Sequence, residues 1–112
     1  MPFKIGTLRE ARILTGDKLI SVFSFYRDEL KKKGVPKKQL ERYDIYSAGI
    51  FRKNHLSHLI YMCDTAIGFV HEGRIEKAMR WLGFIQGVLY FADEYTLDDL
   101  KNHSRPDVEP TS

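Results

Sequence analysis

Apolar positions recur at intervals of three and four along most of the chain, and this spacing predicts helices. The cleanest stripe is Leu56, Leu59, Ile60, Cys63, Ala66, Ile67 and Val70. Asn54 stands where a side chain can cap that helix, and Gly73 ends it. The stripe resumes from Arg74 to about Ala92 with Ile75, Ala78, Met79, Leu82, Ile85, Val88 and Leu89. Two long amphipathic stretches joined through His71-Glu72-Gly73 predict an αα-hairpin over about 55–72 and 74–92.

Upstream, residues 8–33 carry a second helical pattern, including Leu19, Val22, Phe23, Tyr26 and Leu30. Thr7-Leu8-Arg9-Glu10 has the form of a capping box. Thr15-Gly16-Asp17 interrupts the pattern and predicts a break, with Thr15 or Asp17 capping a new helix. Lys31, Lys32 and Lys33 fall in its last turn, where cations suit the macrodipole, and Gly34 terminates it. Pro36 suits a first helical turn, so residues 36–52 read as a less regular helix with a kink near 44–49. Thr96-Leu97-Asp98-Asp99 repeats the capping pattern and predicts a short helix to about His103. No strand pattern and no internal repeat competes with this reading. The expectation is an all-α fold: a small helical bundle of four or five helices built around the hairpin, plus the short C-terminal helix. Residues 1–106 form the single helical domain, and 107–112 form a flexible tail.

Composition narrows the class. The chain has 112 residues, 13.1 kDa, which is one domain in size. It is 43% hydrophobic and 29% charged, a balance that supports a packed core rather than disorder. No apolar run reaches about 18 residues, and no secretory pattern is present. Cys63 is the single cysteine, too few for an internal disulfide or a zinc-finger pattern. These features point to a reducing cytoplasm.

Charge is uneven. The net value is +3. Residues 1–55 carry 13 Lys and Arg against 6 Asp and Glu, net +7. Residues 56–112 carry 5 against 9, net −4. This asymmetry fits an acidic partner, self-association of basic half to acidic half, or a plain solvated surface.

The string Glu76-Lys77-Ala78-Met79-Arg80-Trp81-Leu82-Gly83-Phe84-Ile85-Gln86-Gly87-Val88-Leu89, with Tyr95-Thr96-Leu97-Asp98-Asp99-Leu100-Lys101-Asn102-His103-Ser104-Arg105-Pro106, carries a resemblance. Over about 55–106 the chain resembles small helical accessory proteins of tailed bacteriophages. The resemblance implies a phage-encoded protein acting in the cytoplasm of the infected host cell. Many such proteins are binders that occupy host enzymes or sequester defence signalling nucleotides.

Several residues are candidates for chemistry. Gly83 and Gly87 share one helix face, at a propensity cost of about 1 kcal/mol each relative to alanine. Close helix approach, inside the monomer or across a dimer and with Phe84 beside them, or a ligand pressed on the backbone would offset it. Arg80, Trp81, Gln86 and Arg105 form a candidate ligand site, with a base stacked on Trp81 and Arg80 on a phosphate. Lys32, Lys33, Lys37, Lys38, Arg42, Arg52 and Lys53 form a basic surface with Tyr43, Tyr46 and Phe51 interleaved. His55 and His58 lack nearby ligands at metal spacing, and Cys63 sits on the apolar stripe as an inert thiol. The Asp93-Glu94 and Asp98-Asp99 carboxylates suit helix termini better than acid–base work.

The expected protein is therefore non-enzymatic, without catalytic residues, metal or cofactor. It inhibits a host protein or sequesters a small anionic ligand such as a defence signalling nucleotide, and it forms a homo-oligomer. The alternative is a nucleic-acid-binding accessory protein using the basic 31–53 segment. No membrane contact is expected.

Overall fold

Local capping signals become helix ends where the structure, a computed structural model, describes the chain. It describes residues 15–40, 51–106 and 110, with backbone alone for 51–54. Helix α1 runs Gly16–Lys32. Thr15 caps it, its Oγ1 accepting the Lys18 N–H at 3.1 Å. Gly16 lies close to the next helix: a side-chain carbon there would meet Val70 at 3.2 Å.

Helices α2 (Phe51–His71), α3 (Ile75–Phe91) and α4 (Leu97–His103) follow. The first three helices share one type of exit. Gly34, Gly73 and Asp93 have φ of 85°, 80° and 60°. Each left-handed residue lets the next N–H reach back to the carbonyl five residues earlier. These bonds run from Val35 to Leu30, Arg74 to Phe69 and Glu94 to Leu89, at 3.1, 2.8 and 3.0 Å. Two of the three positions are glycine, where positive φ carries no steric cost. Thr96 and Asp99 close a reciprocal capping box at the start of α4, at 3.0 and 3.1 Å.

Every regular element among the described residues is a helix, and none is a strand, as the periodicity implies. The three-residue link 72–74 folds α2 and α3 into the expected hairpin. Helix α2 is the middle layer, with α1 on one side and α3 on the other. Helix α4 packs on α3. Leu19, Phe23, Leu59, Ile60, Ile85 and Leu89 are among the fully buried side chains at the centre.

Two expectations need correction. Residues 36–40 are not helical. Their backbone donors turn to α2 instead: Lys38 N–H to the Ser57 carbonyl at 3.2 Å, and Leu40 N–H to His58 Nδ1 at 3.1 Å. Pro36 therefore begins a non-helical strap and not a helical turn. Asn54 does not cap α2, because the helix already begins at Phe51. Phe51-Arg52-Lys53 contains no helix breaker, so the helix continues past Asn54. The capping box at Thr7, the helical pattern over 8–14, the kink near 44–49 and most of the 107–112 tail lie outside the described residues. No described helix is long and apolar enough to cross a membrane.

Candidate functional site

Helix α3 has two faces with different chemistry. Ala78, Leu82, Ile85 and Leu89 point into the core. At about 100° per residue, Gln86 follows Ile85 to the edge of that face. Its amide Nε2 reaches the Tyr26 hydroxyl at 2.9 Å, Ser104 Oγ at 2.8 Å and the Leu100 carbonyl at 3.3 Å. The Tyr26 hydroxyl in turn lies 2.9 Å from His103 Nδ1. Gln86 donates to the phenol oxygen, so the phenol proton is free for Nδ1. The chain of bonds then runs without conflict when His103 carries its proton on Nε2.

Rings enclose this polar chain. Tyr95 meets His103 edge-on at 4.8 Å, and Phe25 meets it edge-on at 5.1 Å. Burial pushes the Tyr26 phenol well above its ordinary pKa, and the hydrogen bond from Gln86 offsets only part of that. Burial and the nearby Glu29, Glu94 and Asp99 carboxylates push the Tyr95 phenol up to about 12. Both phenols remain neutral donors and acceptors at physiological pH. The cluster ties α1, α3 and α4 together, and its polar groups satisfy one another.

The opposite face of α3 is open, and large apolar side chains share it with the exposed Glu76 and Arg80. Phe91 is 76% exposed and Phe84 57%. Met79 and Tyr90 flank them, also exposed. Between them lie Gly83 and Gly87, with no atom within 4 Å of where a side-chain carbon would stand. Close helix approach at these glycines is therefore not found among the described residues. At the C-terminal end of this face, Tyr90, Asp93, Leu97 and Asp98 line a groove of about 620 Å³. At its N-terminal end, Arg74, Lys77 and Arg80 line a groove of about 450 Å³ that also contains Glu76.

The four candidate ligand residues fall in different places. Arg80 is exposed on the outer face. Trp81 is half-buried and packs edge-on against Phe69 at 4.8 Å. Phe69 also takes Lys77 and Arg74 against its ring, at 4.6 and 5.0 Å. Gln86 is six residues past Arg80, about 9 Å along the axis and about 120° around it. Its amide is engaged internally. Arg105 is exposed beside Ser104. The structure thus brings Gln86 to the Tyr26 cluster and leaves Arg80 on the far side of α3.

The basic surface is partly neutralised. Lys32 pairs with Glu29 at 3.0 Å and Lys37 with Asp64 at 2.8 Å, while Lys33 pairs with Glu94. Arg27 joins Asp64 at 3.1 Å. Lys38 is exposed. Arg42, and the side chains of Arg52 and Lys53, lie outside what is described. Burial alone would raise the Asp64 carboxyl, but hydrogen bonds from Lys37 and Arg27 win and hold it below its ordinary value. A depressed carboxyl stabilises the fold above its unfolded pKa and loses that contribution as pH falls through the folded one. Asp64→Asn should therefore lose about 1 kcal/mol or less at neutral pH. Its denaturant midpoint should fall less steeply than that of the unmodified chain below about pH 4. Parallel acid profiles for the two proteins would contradict this assignment.

His58 accepts from the strap and stacks on Tyr61 at 5.4 Å. Burial, then His55, lowers its pKa, against a backbone hydrogen bond at Lys38 that raises it. Among the described residues no group of three His, Cys, Asp or Glu is placed to hold a metal ion. Cys63 is fully buried in the core, consistent with its position on the apolar stripe.

The sequence pattern missed the Tyr26–His103 pair, which is separated by 77 residues. Tyr26 read as one more apolar position of α1, and no local signal links it to the C-terminal helix. Compared with known proteins, the chain matches no protein-family model, no curated protein and no solved structure.

Proposed function

We propose that this chain works by binding and not by catalysis, through protein–protein contact made by the outer face of α3. The observation that carries the reading is the exposure of Met79, Phe84, Tyr90 and Phe91 around Gly83 and Gly87. Large apolar side chains grouped on one solvent face mark interaction surfaces. The resemblance of residues 55–106 to phage accessory proteins supplies the setting, an infected bacterial cytoplasm, and the role, occupation of a host protein. The interior polar groups support the same reading, since Tyr26, Gln86, His103 and Ser104 serve as one another's partners.

Two other readings are less favoured. Sequestration of an anionic nucleotide would draw on Arg74, Lys77 and Arg80, but Glu76 shares their groove. Nucleic-acid binding would draw on the 31–53 segment, where Lys32, Lys33 and Lys37 already face carboxylates.

The test is capture from bacterial lysate by the full chain and by a Phe84→Ser/Phe91→Ser variant. Helical circular dichroism should be unchanged in the variant, because both side chains are exposed. The expected result is a stoichiometric protein held by the unmodified chain and lost from the variant. Equal capture by both would refute the role of α3. Capture abolished by nuclease, and falling steeply with salt, would transfer the function to nucleic acid.

A further inference from the structure

We propose that the 36–40 strap is closed by an acid-sensitive latch: protonation of the His58 ring removes the acceptor for the Leu40 N–H, and that end of the strap lifts from α2 while its Lys38 end stays attached.

The bond itself sets the condition. Leu40 N–H donates to His58 Nδ1 at 3.1 Å, across 18 residues of chain. A ring nitrogen accepts only while it carries no proton, and in the imidazolium both nitrogens are donors. Flipping the charged ring therefore restores nothing, and the Leu40 amide faces a second N–H. Stacking on Tyr61, with ring centroids 5.4 Å apart, holds the ring at this place.

The other anchors of the strap do not respond in the same range. Lys38 N–H donates to the Ser57 carbonyl at 3.2 Å, and a carbonyl does not titrate there. Lys37 Nζ meets the Asp64 carboxylate at 2.8 Å. Burial would raise that carboxyl, but hydrogen bonds from Lys37 and from Arg27 of α1 hold it below its ordinary value. It stays ionised throughout the histidine range. One strap contact of the three is thus conditional on protonation.

The surroundings of His58 favour its neutral form. Burial, then the neighbouring His55 on α2, disfavour the charged ring, against a backbone hydrogen bond at Lys38 that favours it. The titratable groups around it are His55 and Tyr61 on α2 and Lys38 on the strap. Among the described residues no carboxylate pairs with the ring. A histidine held below its ordinary 6.5 contributes its stability in full above about pH 6.5 and loses it as pH falls through the folded value. The latch is therefore closed at neutral pH and opens in mild acid. The backbone bond at Lys38 suits the charged ring, so Lys38 is the pivot and Leu40 is the end that moves.

Amide hydrogen exchange on the full chain tests this, with each rate taken relative to an unstructured chain at the same pH. Between about pH 7.5 and about pH 5, Leu40 N–H should lose protection about three- to tenfold, the weight of one hydrogen bond. Lys38 N–H, and Ile60 N–H within α2, should keep theirs. His58→Phe retains a ring against Tyr61 and has no acceptor, so Leu40 should be unprotected to the same degree at both pH values. His55→Gln removes a like charge and should raise the pH at which Leu40 opens.

Unchanged Leu40 protection across this range overturns the latch, as does full protection of Leu40 in His58→Phe at neutral pH. Loss of protection at Lys38 in step with Leu40 overturns the pivot. Loss at Ile60 in step with both would mean that acid loosens the whole bundle, and the latch falls. None of these outcomes bears on lysate capture by the outer face of α3, which is read separately.

Discussion

Replacing Tyr26 by alanine is expected to remove about 3–5 kcal/mol of stability, the cost of deleting a large buried ring. Tyr26 is wholly inaccessible to solvent, and its ring meets Phe25, Tyr95 and His103 within 5.3–5.7 Å. A domain of this size has only about 5–15 kcal/mol in total, so the variant should be partly unfolded at room temperature. Tyr26→Phe separates the two parts of this effect. It keeps the ring and deletes the hydroxyl, so Gln86 and His103 each lose a hydrogen-bond partner. The expected cost is about 1–3 kcal/mol, the penalty of leaving buried polar groups unmatched. Urea denaturation of the three proteins gives both numbers. A Tyr26→Phe protein as stable as the original would mean that the hydroxyl chain does not hold α4 to the bundle.

Cys63 should react with a thiol reagent at least about a thousandfold more slowly in the folded protein than in the denatured chain at pH 8. Burial pushes its pKa up to about 12, and the neighbouring Asp64 carboxylate adds to the rise against a smaller opposing effect of Arg27. At pH 8 the thiolate fraction is then about 0.0001, against roughly 0.2 for an ordinary thiol. Closed packing slows the reaction further, because the reagent must wait for an opening of α2. The labelling rate with and without denaturant settles it. Similar rates would place Cys63 at an accessible surface and remove it from the core. The same measurement on the Tyr26→Phe protein tests coupling: loss of the α1–α4 tie should raise the native rate.

Much of the architecture was legible locally. Thr15, Gly34, Gly73 and the Thr96–Asp99 box each mark a helix end, because capping depends on residues within a few positions of one another. The three-four spacing of Leu56 through Val70, and of Ile75 through Leu89, is likewise a property of one helix at a time. The 36–40 strap escaped the same logic. Pro36 permits a helical start, but hydrogen bonds to Ser57 and His58, brought close by tertiary packing, offer its backbone another arrangement.

Within the candidate site the same division holds. The sequence alone showed that Gly83, Phe84 and Gly87 share a helix face and that Cys63 belongs to an apolar stripe. It could not show which way that glycine face turns. Helix α3 can bury only one side against α2, and the larger aliphatic set of Leu82, Ile85 and Leu89 took it, leaving Phe84 and Phe91 outside. Gln86 was drawn into the Tyr26–His103–Ser104 cluster, and Lys33 to Glu94, by contacts spanning 18–77 residues of chain. Local spacing therefore determined where helices begin, end and place their apolar stripes, since those bonds lie within a turn or two. Only the packed bundle decided which polar groups meet and which face stays open, since that depends on how whole helices compete for one core.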